Sequence, residues 1–166
     1  GASPQTLTFH KNEEEFETSS RISYALNKFK TQIRFNSAYV LSTSTESALE
    51  NDASVNKQLI YTPRYNYGGS FSITYNKFSI SYYHNYIGYR FTASDNTSWL
   101  KPYQVANLKV SHQYNFDKVN FIAAFHLNNL YNSDYMIIAQ RPMPLRNYEL
   151  SFTLTYHKPN KLKTDQ

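Results

Sequence analysis

The sequence predicts an all-β protein built from antiparallel, up-and-down transmembrane β-barrel strands, about seven in number. The prediction rests on period-two alternation of apolar and polar residues, on tight turns that alternate with long polar loops, and on aromatic residues beside every tight turn. The clearest alternation is Asn147–Tyr156, in which Tyr148, Leu150, Phe152, Leu154 and Tyr156 alternate with Glu149, Ser151, Thr153 and Thr155. Since successive strand side chains point to opposite faces, one face is apolar and the other polar.

Composition limits the alternatives. The 166 residues are 40% hydrophobic and 17% charged, which is not the composition of a disordered chain. No apolar run approaches the roughly 20 residues that a membrane helix needs, and the mean hydropathy is −0.63, so a helical membrane protein is excluded. The absence of Cys excludes disulfides and thiolate metal sites. The aromatic share of 17%, with sixteen Tyr, suits both strands and membrane–water boundaries.

The first hairpin is expected after a short N-terminal segment. Residues 1–12 are expected to form a loop or a partial strand. The glutamates after this segment are expected to form a solvated loop or the hydrated end of a strand. Alternation begins at Thr18, and Asn27-Lys28 is a two-residue turn. This turn predicts three cross-strand pairs, which place apolar residues on one face: Leu26 with Phe29, Tyr24 with Thr31, and Ile22 with Ile33.

Two further hairpins and a closing strand follow. Asn76-Lys77 is predicted to turn the second hairpin and to pair Tyr75 with Phe78, Ile73 with Ile80, and Phe71 with Tyr82. A tight turn over 115–118 joins the two strands of the third. Long polar loops separate these units at about Ser42–Pro63, Thr92–Pro102 and Asn128–Arg146.

Alternating short turns and long loops are the layout of outer-membrane barrels, which also carry aromatic girdles. A lipocalin-like soluble barrel would share the hairpins. It would not ordinarily place Tyr or Phe at the same height beside each turn, nor need a polar inner face with Arg21, Lys30, Arg34 and Lys109. The pattern therefore favours an apolar face in lipid over one in a soluble core.

Seven strands leave the barrel incomplete. Bacterial single-chain barrels have an even strand number, and an open edge in lipid is costly. We therefore expect residues 13–157 to be the C-terminal strands of a larger barrel, followed by a polar tail over 158–166. The rival arrangement is a closed eight-stranded barrel whose short first strand is residues 1–12.

Catalytic and metal-binding motifs are not found. His112 shares a face with the apolar residues Leu108 and Val110, whereas His126 shares a face with Asn120 and Asn128, so the two cannot bind one metal ion together. We predict no metal, no cofactor, no enzymatic activity and no nucleic-acid partner. A hydrolase stays open as an alternative, which requires Ser or Asp within hydrogen-bond reach of His84 or His126.

The C-terminal segment resembles a known family. Asn128, Asn129, Leu130, Tyr131, Asn132 and Tyr135 are followed by Pro142, Pro144, Arg146 and Tyr148 and then by the closing strand. This order is similar to the C-terminus of TonB-dependent outer-membrane receptors, in a version typical of Bacteroidetes-type bacteria. The upstream Leu59-Ile60-Tyr61-Thr62-Pro63-Arg64 also resembles the family, so that the resemblance covers about Gln58–Tyr156.

The resemblance implies a 22-stranded barrel in the bacterial outer membrane that takes up siderophore-iron, haem or cobalamin. It implies as partners the remaining barrel and plug, the TonB complex acting through that plug, the lipid bilayer, the barrel-assembly machinery and, as a further candidate, a surface lipoprotein. Tyr148, Phe152 and Tyr156 correspond to the assembly signal. The family's chains commonly end at the last aromatic residue, whereas here His157–Gln166 follow.

The long loops are expected to contact the ligand. Ten residues are the candidates: Tyr61, Tyr65, Tyr86, Tyr89, Arg90, Trp99, Tyr131, Tyr135, Met136 and Arg141. The alternative for each is a place in the outer aromatic girdle or in loop packing. The alternative for the whole chain is a small structural or adhesive outer-membrane barrel that transports nothing.

Overall fold

A computed structural model describes residues 11–44 and 52–156, and all regular elements in this part of the chain are strands. Seven long strands carry the fold, and two short hairpins lie within the long loops. The strands are β1 (Lys11–Leu26), β2 (Phe29–Ser44), β3 (Tyr65–Tyr75), β4 (Phe78–Ile87), β5 (Arg90–Phe91), β6 (Trp99–Leu100), β7 (Tyr103–Phe116), β8 (Val119–Asn128), β9 (Met136–Ile138), β10 (Arg141–Pro142) and β11 (Asn147–Tyr156).

The long strands form one antiparallel sheet in the order β1-β2-β3-β4-β7-β8-β11, which confirms the predicted number of seven. The six predicted cross-strand pairs of the first two hairpins are also confirmed. Ile22 lies opposite Ile33, for example, and Ile73 lies opposite Ile80. Asn27 and Asn76 adopt positive φ angles of 52° and 55° in the two tight turns, a conformation that Asn tolerates better than most residues.

The ends of the strands settle two expectations from the sequence. β1 begins at Lys11, so the acidic residues around Glu15 lie at the beginning of a strand, the second of the two arrangements expected for them. Glu15 and Glu17 lie on the same face as Arg21. A polar residue on that face fits a strand and a loop equally well, so alternation alone could not predict where β1 begins. The third tight turn consists only of Asp117-Lys118. The rival first strand over residues 1–12 lies mostly outside the described residues, and so does the polar tail.

The two faces of the sheet differ sharply in chemistry. The apolar face is solvent-accessible: Leu150, Phe152 and Leu154 are each about two-thirds exposed (68%, 67% and 68%), and Ile22 on the first strand is 67% exposed. Only Ala106 and Ala124 are buried hydrophobic residues among those described. The residues predicted to signal assembly, Tyr148, Phe152 and Tyr156, all lie on this exposed face. The sheet therefore has no interior core, and a soluble barrel built around one is not what the described residues form.

The sheet is open. β1 and β11 are its edges, and because seven strands alternate in direction, these two edges run in the same direction. Antiparallel closure of β1 on β11 is therefore impossible for the described strands. Among the described residues, no helix is long and apolar enough to cross a membrane.

Candidate functional site

The first two long loops are joined by a buried amide pair. Gln58 is only 2% exposed. Its backbone N–H donates to Asn96 Oδ1 (3.0 Å), and Asn96 Nδ2 donates to the Gln58 carbonyl oxygen (2.9 Å). The Gln58 side chain also accepts a hydrogen bond from the Ser42 N–H and donates to the carbonyls of Val40 and Thr62. We call this arrangement the loop clasp, and it holds the two loops against the end of β2.

The third long loop is organised by two asparagines of the sequence motif. Asn129 is 3% exposed, and its side chain bonds the Ser133 N–H and the carbonyls of Ser133 and Pro144. Asn132 Oδ1 accepts from the Arg146 N–H (3.0 Å). Both asparagines have positive φ (52° and 54°), so each combines a turn conformation with side-chain closure of the loop.

A buried arginine joins the second and third loops. Arg90 is 4% exposed, and its guanidinium lies 4.8 Å from the centre of the Tyr103 ring. Its Nη2 donates to the carbonyls of Lys101 (3.3 Å) and Met136 (3.1 Å). Tyr135 stacks on Tyr103 with ring centres 4.4 Å apart. Burial raises the pKa of the Tyr135 hydroxyl, and the nearby Tyr103 adds to this shift, so Tyr135 is neutral at physiological pH.

Two open clefts share the Tyr103–Tyr135 stack. The larger, of about 540 Å³, lies on the polar face and is lined by Arg34, Asn36, Tyr83, Asn85 and Asn107, among others. The smaller, of about 380 Å³, lies at the loops and is lined by Trp99 to Tyr103 and Asp134 to Met136. The aromatic rings and the guanidinium of these clefts can stack on planar groups of a ligand, and their amides and guanidinium can form hydrogen bonds with its polar groups.

A second aromatic cluster lies on the opposite, apolar face near the long loops. Tyr67 stacks on Tyr86 (4.8 Å between ring centres), and Tyr65 stacks on the other side of Tyr86 (6.0 Å). The Tyr131 hydroxyl bonds both the Tyr82 hydroxyl (2.6 Å) and His84 Nδ1 (3.3 Å). Tyr131 thus reaches from the third loop across β7 to β4.

The structure separates the predicted ligand-contact residues into groups. Arg90, Tyr135, Met136 and Trp99 come together around Tyr103. Tyr65, Tyr86 and Tyr131 belong to the cluster on the apolar face. Tyr65 and Tyr86 lie in β3 and β4, so the expectation that they are loop residues is wrong. It is wrong because both strands extend beyond the strict alternation visible in the sequence.

The remaining predicted residues lie apart from these groups. Tyr89 packs edge-on against Phe91, Arg141 is exposed in β10, and Tyr61 has a positive φ of 57° with its N–H bonded to the Phe91 carbonyl. Sequence reasoning missed Tyr67, Tyr83 and Tyr103. Only Tyr67 carried a signal in the sequence, because it lies two residues from the predicted Tyr65 and therefore on the same face of the strand.

His126 meets one requirement of the hydrolase alternative. Its Nε2 lies 3.0 Å from Ser151 Oγ on the neighbouring strand. His126 also lies directly opposite Lys109 on one side and Glu149 on the other, all on the polar face. His84 instead has Tyr131 as its hydrogen-bonding partner. Within the described residues, no group of three or more His, Cys, Asp or Glu side chains could hold a metal ion.

Comparison with known proteins gives solved structures of similar fold. The chain is similar to the crystal structure of BauA, the ferric preacinetobactin receptor from Acinetobacter baumannii, with a TM-score of 0.60 and 12% sequence identity. The similarity covers 89% of this chain but only 27% of the receptor. No family model and no curated protein matches. At this identity the similarity shows the fold alone, and this chain spans about a quarter of that receptor's length.

Proposed function

We propose that this chain is the C-terminal barrel wall of a TonB-dependent outer-membrane receptor that imports a scarce nutrient of the siderophore-iron, haem or cobalamin class. The observation that carries the proposal is the seven-stranded sheet with a largely exposed apolar face, a polar opposite face and two edges that cannot pair with each other in antiparallel fashion. Exposed apolar surface on this scale marks a membrane or a partner. Further strands would cover both edges, as lipid requires.

The fold of the ferric preacinetobactin receptor supports the transport class. In the proposed arrangement the apolar face contacts lipid, the polar face lines the lumen, and the Tyr103–Tyr135 stack lies at the loops that meet the ligand. The missing part of the barrel, the plug and, through it, the TonB complex are the partners. The barrel-assembly machinery would read Tyr148, Phe152 and Tyr156, which the sheet presents on its edge strand β11.

Depth-dependent quenching tests the membrane arrangement. Trp99 is the sole Trp, so a Trp99→Phe background allows single reporters at neighbouring positions of one strand. We expect Leu150→Trp to be quenched by brominated acyl chains and Ser151→Trp to be protected, because the two side chains face opposite sides. Equal quenching at both positions would contradict the lipid-facing assignment.

Growth under nutrient limitation tests whether the protein takes up a nutrient. We expect deletion of the gene to reduce growth when iron is supplied only as a ferric siderophore or haem, or when cobalamin is limiting, and expression of the intact gene to restore it. Unchanged growth under all three conditions would contradict nutrient uptake and leave the structural or adhesive barrel in its place.

A second candidate function is favoured only by the contact between His126 and Ser151. A base beside a hydroxyl can activate it for attack on an ester. A fluorophosphonate probe should then label Ser151, and His126→Ala should abolish labelling. Absence of any label on Ser151 in the folded protein would dispose of the hydrolase.

A further inference from the structure

Three polar side chains converge on the apolar face near the long loops, and we call them the tyrosine–histidine cluster: Tyr82, His84 and Tyr131. The hydroxyl oxygens of Tyr82 and Tyr131 lie 2.6 Å apart, and the Tyr131 hydroxyl lies 3.3 Å from His84 Nδ1. On the neighbouring strands, Tyr82 lies opposite the apolar residues Phe71 and Leu108. Two hydroxyls and an imidazole thus meet on a face that is otherwise mostly apolar.

Small residues beside the cluster leave room for the third loop to approach it. His84 lies opposite Gly69 on one side and Ala106 on the other. The N–H of Leu130 donates to the carbonyl oxygen of Ala106 (2.7 Å), which fixes the chain next to Tyr131 beside this small residue. Two loop and strand segments that are 49 positions apart in the sequence therefore meet at one point.

The cluster is held in place by its surroundings. The His84 ring stacks on Tyr67 with ring centres 6.1 Å apart, and Tyr131 meets the same ring edge-on at 5.8 Å. Arg146 closes the base of the third loop, because its Nη2 donates to the Leu130 carbonyl oxygen (2.7 Å). Donor atoms that are held before a ligand arrives lose less conformational freedom when they bind it.

The donor atoms of the cluster suit a hard cation of high charge. Tyrosine oxygen and imidazole nitrogen are both known ligands of iron. Ligand atoms that lie 2.0–2.2 Å from a metal ion and at right angles are about 2.8–3.1 Å apart, and the distances of 2.6 and 3.3 Å lie on either side of that range. Two phenolates would supply two negative charges, which favours a trivalent ion over Zn²⁺, an ion that prefers nitrogen and sulfur ligands.

We propose that the tyrosine–histidine cluster is a binding site for ferric iron. On binding, Fe³⁺ replaces the hydroxyl protons of Tyr82 and Tyr131, which pass to water, and His84 Nδ1 becomes the third ligand without any transfer of electrons. The remaining coordination positions are open to water or to oxygen atoms of an iron carrier. Tyr131 is 43% exposed, so the ion can reach the cluster from solvent.

The proposed site goes beyond the proposed function and does not depend on it. It lies on the apolar face, away from the clefts of the polar face, and a barrel that transports nothing would carry the same cluster. A failure of the growth test would therefore leave the iron site standing, and a failure of the iron test would leave nutrient uptake standing.

Absorption spectroscopy with ferric nitrilotriacetate tests the proposal on the intact protein that contains this chain, purified in detergent micelles. We expect a visible charge-transfer band from phenolate to iron, since nitrilotriacetate has no phenolate of its own. Tyr82→Phe/Tyr131→Phe should abolish this band, because it removes both hydroxyls and keeps both rings. His84→Gln should keep a band but weaken iron binding by more than the 10–100-fold that loss of an outer-shell partner typically costs.

Two controls separate the cluster from other tyrosines and from other cations. Tyr83→Phe removes the hydroxyl of the next residue in β4, which faces the opposite side, and should leave the band unchanged. Excess Ga³⁺, which has the same charge as Fe³⁺, should remove the band, whereas the same excess of Zn²⁺ should not. Tyr131→Phe alone, at an exposed loop position, should weaken the band and serves as a second variant if the double variant misfolds.

Three results would each overturn the proposal. They are the absence of a band in the unmodified protein, a band of full strength in the folded Tyr131→Phe and Tyr82→Phe/Tyr131→Phe variants, and removal of the band by Zn²⁺ as readily as by Ga³⁺.

Discussion

Positive φ angles in this chain fall mostly on asparagine. Of the eight non-glycine residues with positive φ in the described part of the chain, six are Asn: 27, 56, 76, 96, 129 and 132. Asn tolerates the left-handed conformation because its short side chain bonds nearby backbone groups. Tyr61 is an exception, since a bulky side chain gains no such bond. The turns and loop closures are therefore encoded by single residues, which are accessible to mutation.

Gly88 is required for space rather than for backbone freedom. A Cβ added there would lie 2.7 Å from the Tyr65 carbonyl oxygen, which already accepts a hydrogen bond from the Gly88 N–H (3.1 Å). We expect Gly88→Ala to destabilise the protein by about 1–3 kcal/mol, measured by urea unfolding in detergent micelles. Gly69→Ala is the matched control, with its nearest atom at 3.3 Å, and should cost less. Equal losses would contradict the steric reason.

Asp95 in the second long loop gives a pH-dependent prediction. The Thr97 hydroxyl and backbone N–H donate to its carboxylate and hold the pKa of Asp95 below its usual value. The ionised form therefore favours the folded loop above about pH 4, and this contribution is lost as the pH falls through the lowered pKa. We expect Thr97→Val to raise the pKa of Asp95 in a carboxyl ¹³C NMR titration. An unchanged pKa would mean that the hydroxyl has no part in the shift.

At the scale of elements, the loop clasp makes two loops one unit. Asn96 bonds both the N–H and the carbonyl of Gln58, as a neighbouring strand would. We expect Asn96→Ala to accelerate hydrogen exchange at Gln58 by about tenfold or more, because an unpaired buried amide costs about 1–3 kcal/mol. Asn96→Gly, which tolerates the positive φ, isolates the contribution of the side-chain bonds. Full protection of Gln58 in both variants would refute the clasp.

The hairpins were predictable from the sequence and the loops were not. Period-two alternation and two-residue turns determine register to the residue, because a slip by one position would reverse the faces. The acidic start of β1 contains a single apolar residue, Phe16, and one residue gives no alternation. The packing of Arg90 on Tyr103 joins residues that are 13 positions apart and belong to different local patterns. The sequence predicted which aromatic and basic residues are candidates for ligand contact. Only the structure shows that these residues are divided between the two faces of the sheet.

At the scale of the molecule, the direction of the two edges limits how the sheet can be completed. The chain lacks Cys, so engineered disulfides report strand neighbours cleanly. We expect Ser81→Cys/Lys109→Cys, which are opposite each other on β4 and β7, to form a disulfide. Ser19→Cys/Ser151→Cys, on the polar face of the edges β1 and β11, should not form one, because other strands separate those edges in the proposed barrel. A disulfide between the edges would show that the sheet closes on itself.

The shared direction of β1 and β11 also bears on protein engineering. Lys11 stands at the rim with the long loops, whereas Tyr156 stands at the rim with the tight turns. A circular permutant of this sheet would need a linker that spans the length of β1, which has 16 residues and is therefore about 50 Å long. Antibodies would reach epitope tags at these two points from opposite rims of the sheet, one from the rim with the long loops and the other from the rim with the tight turns.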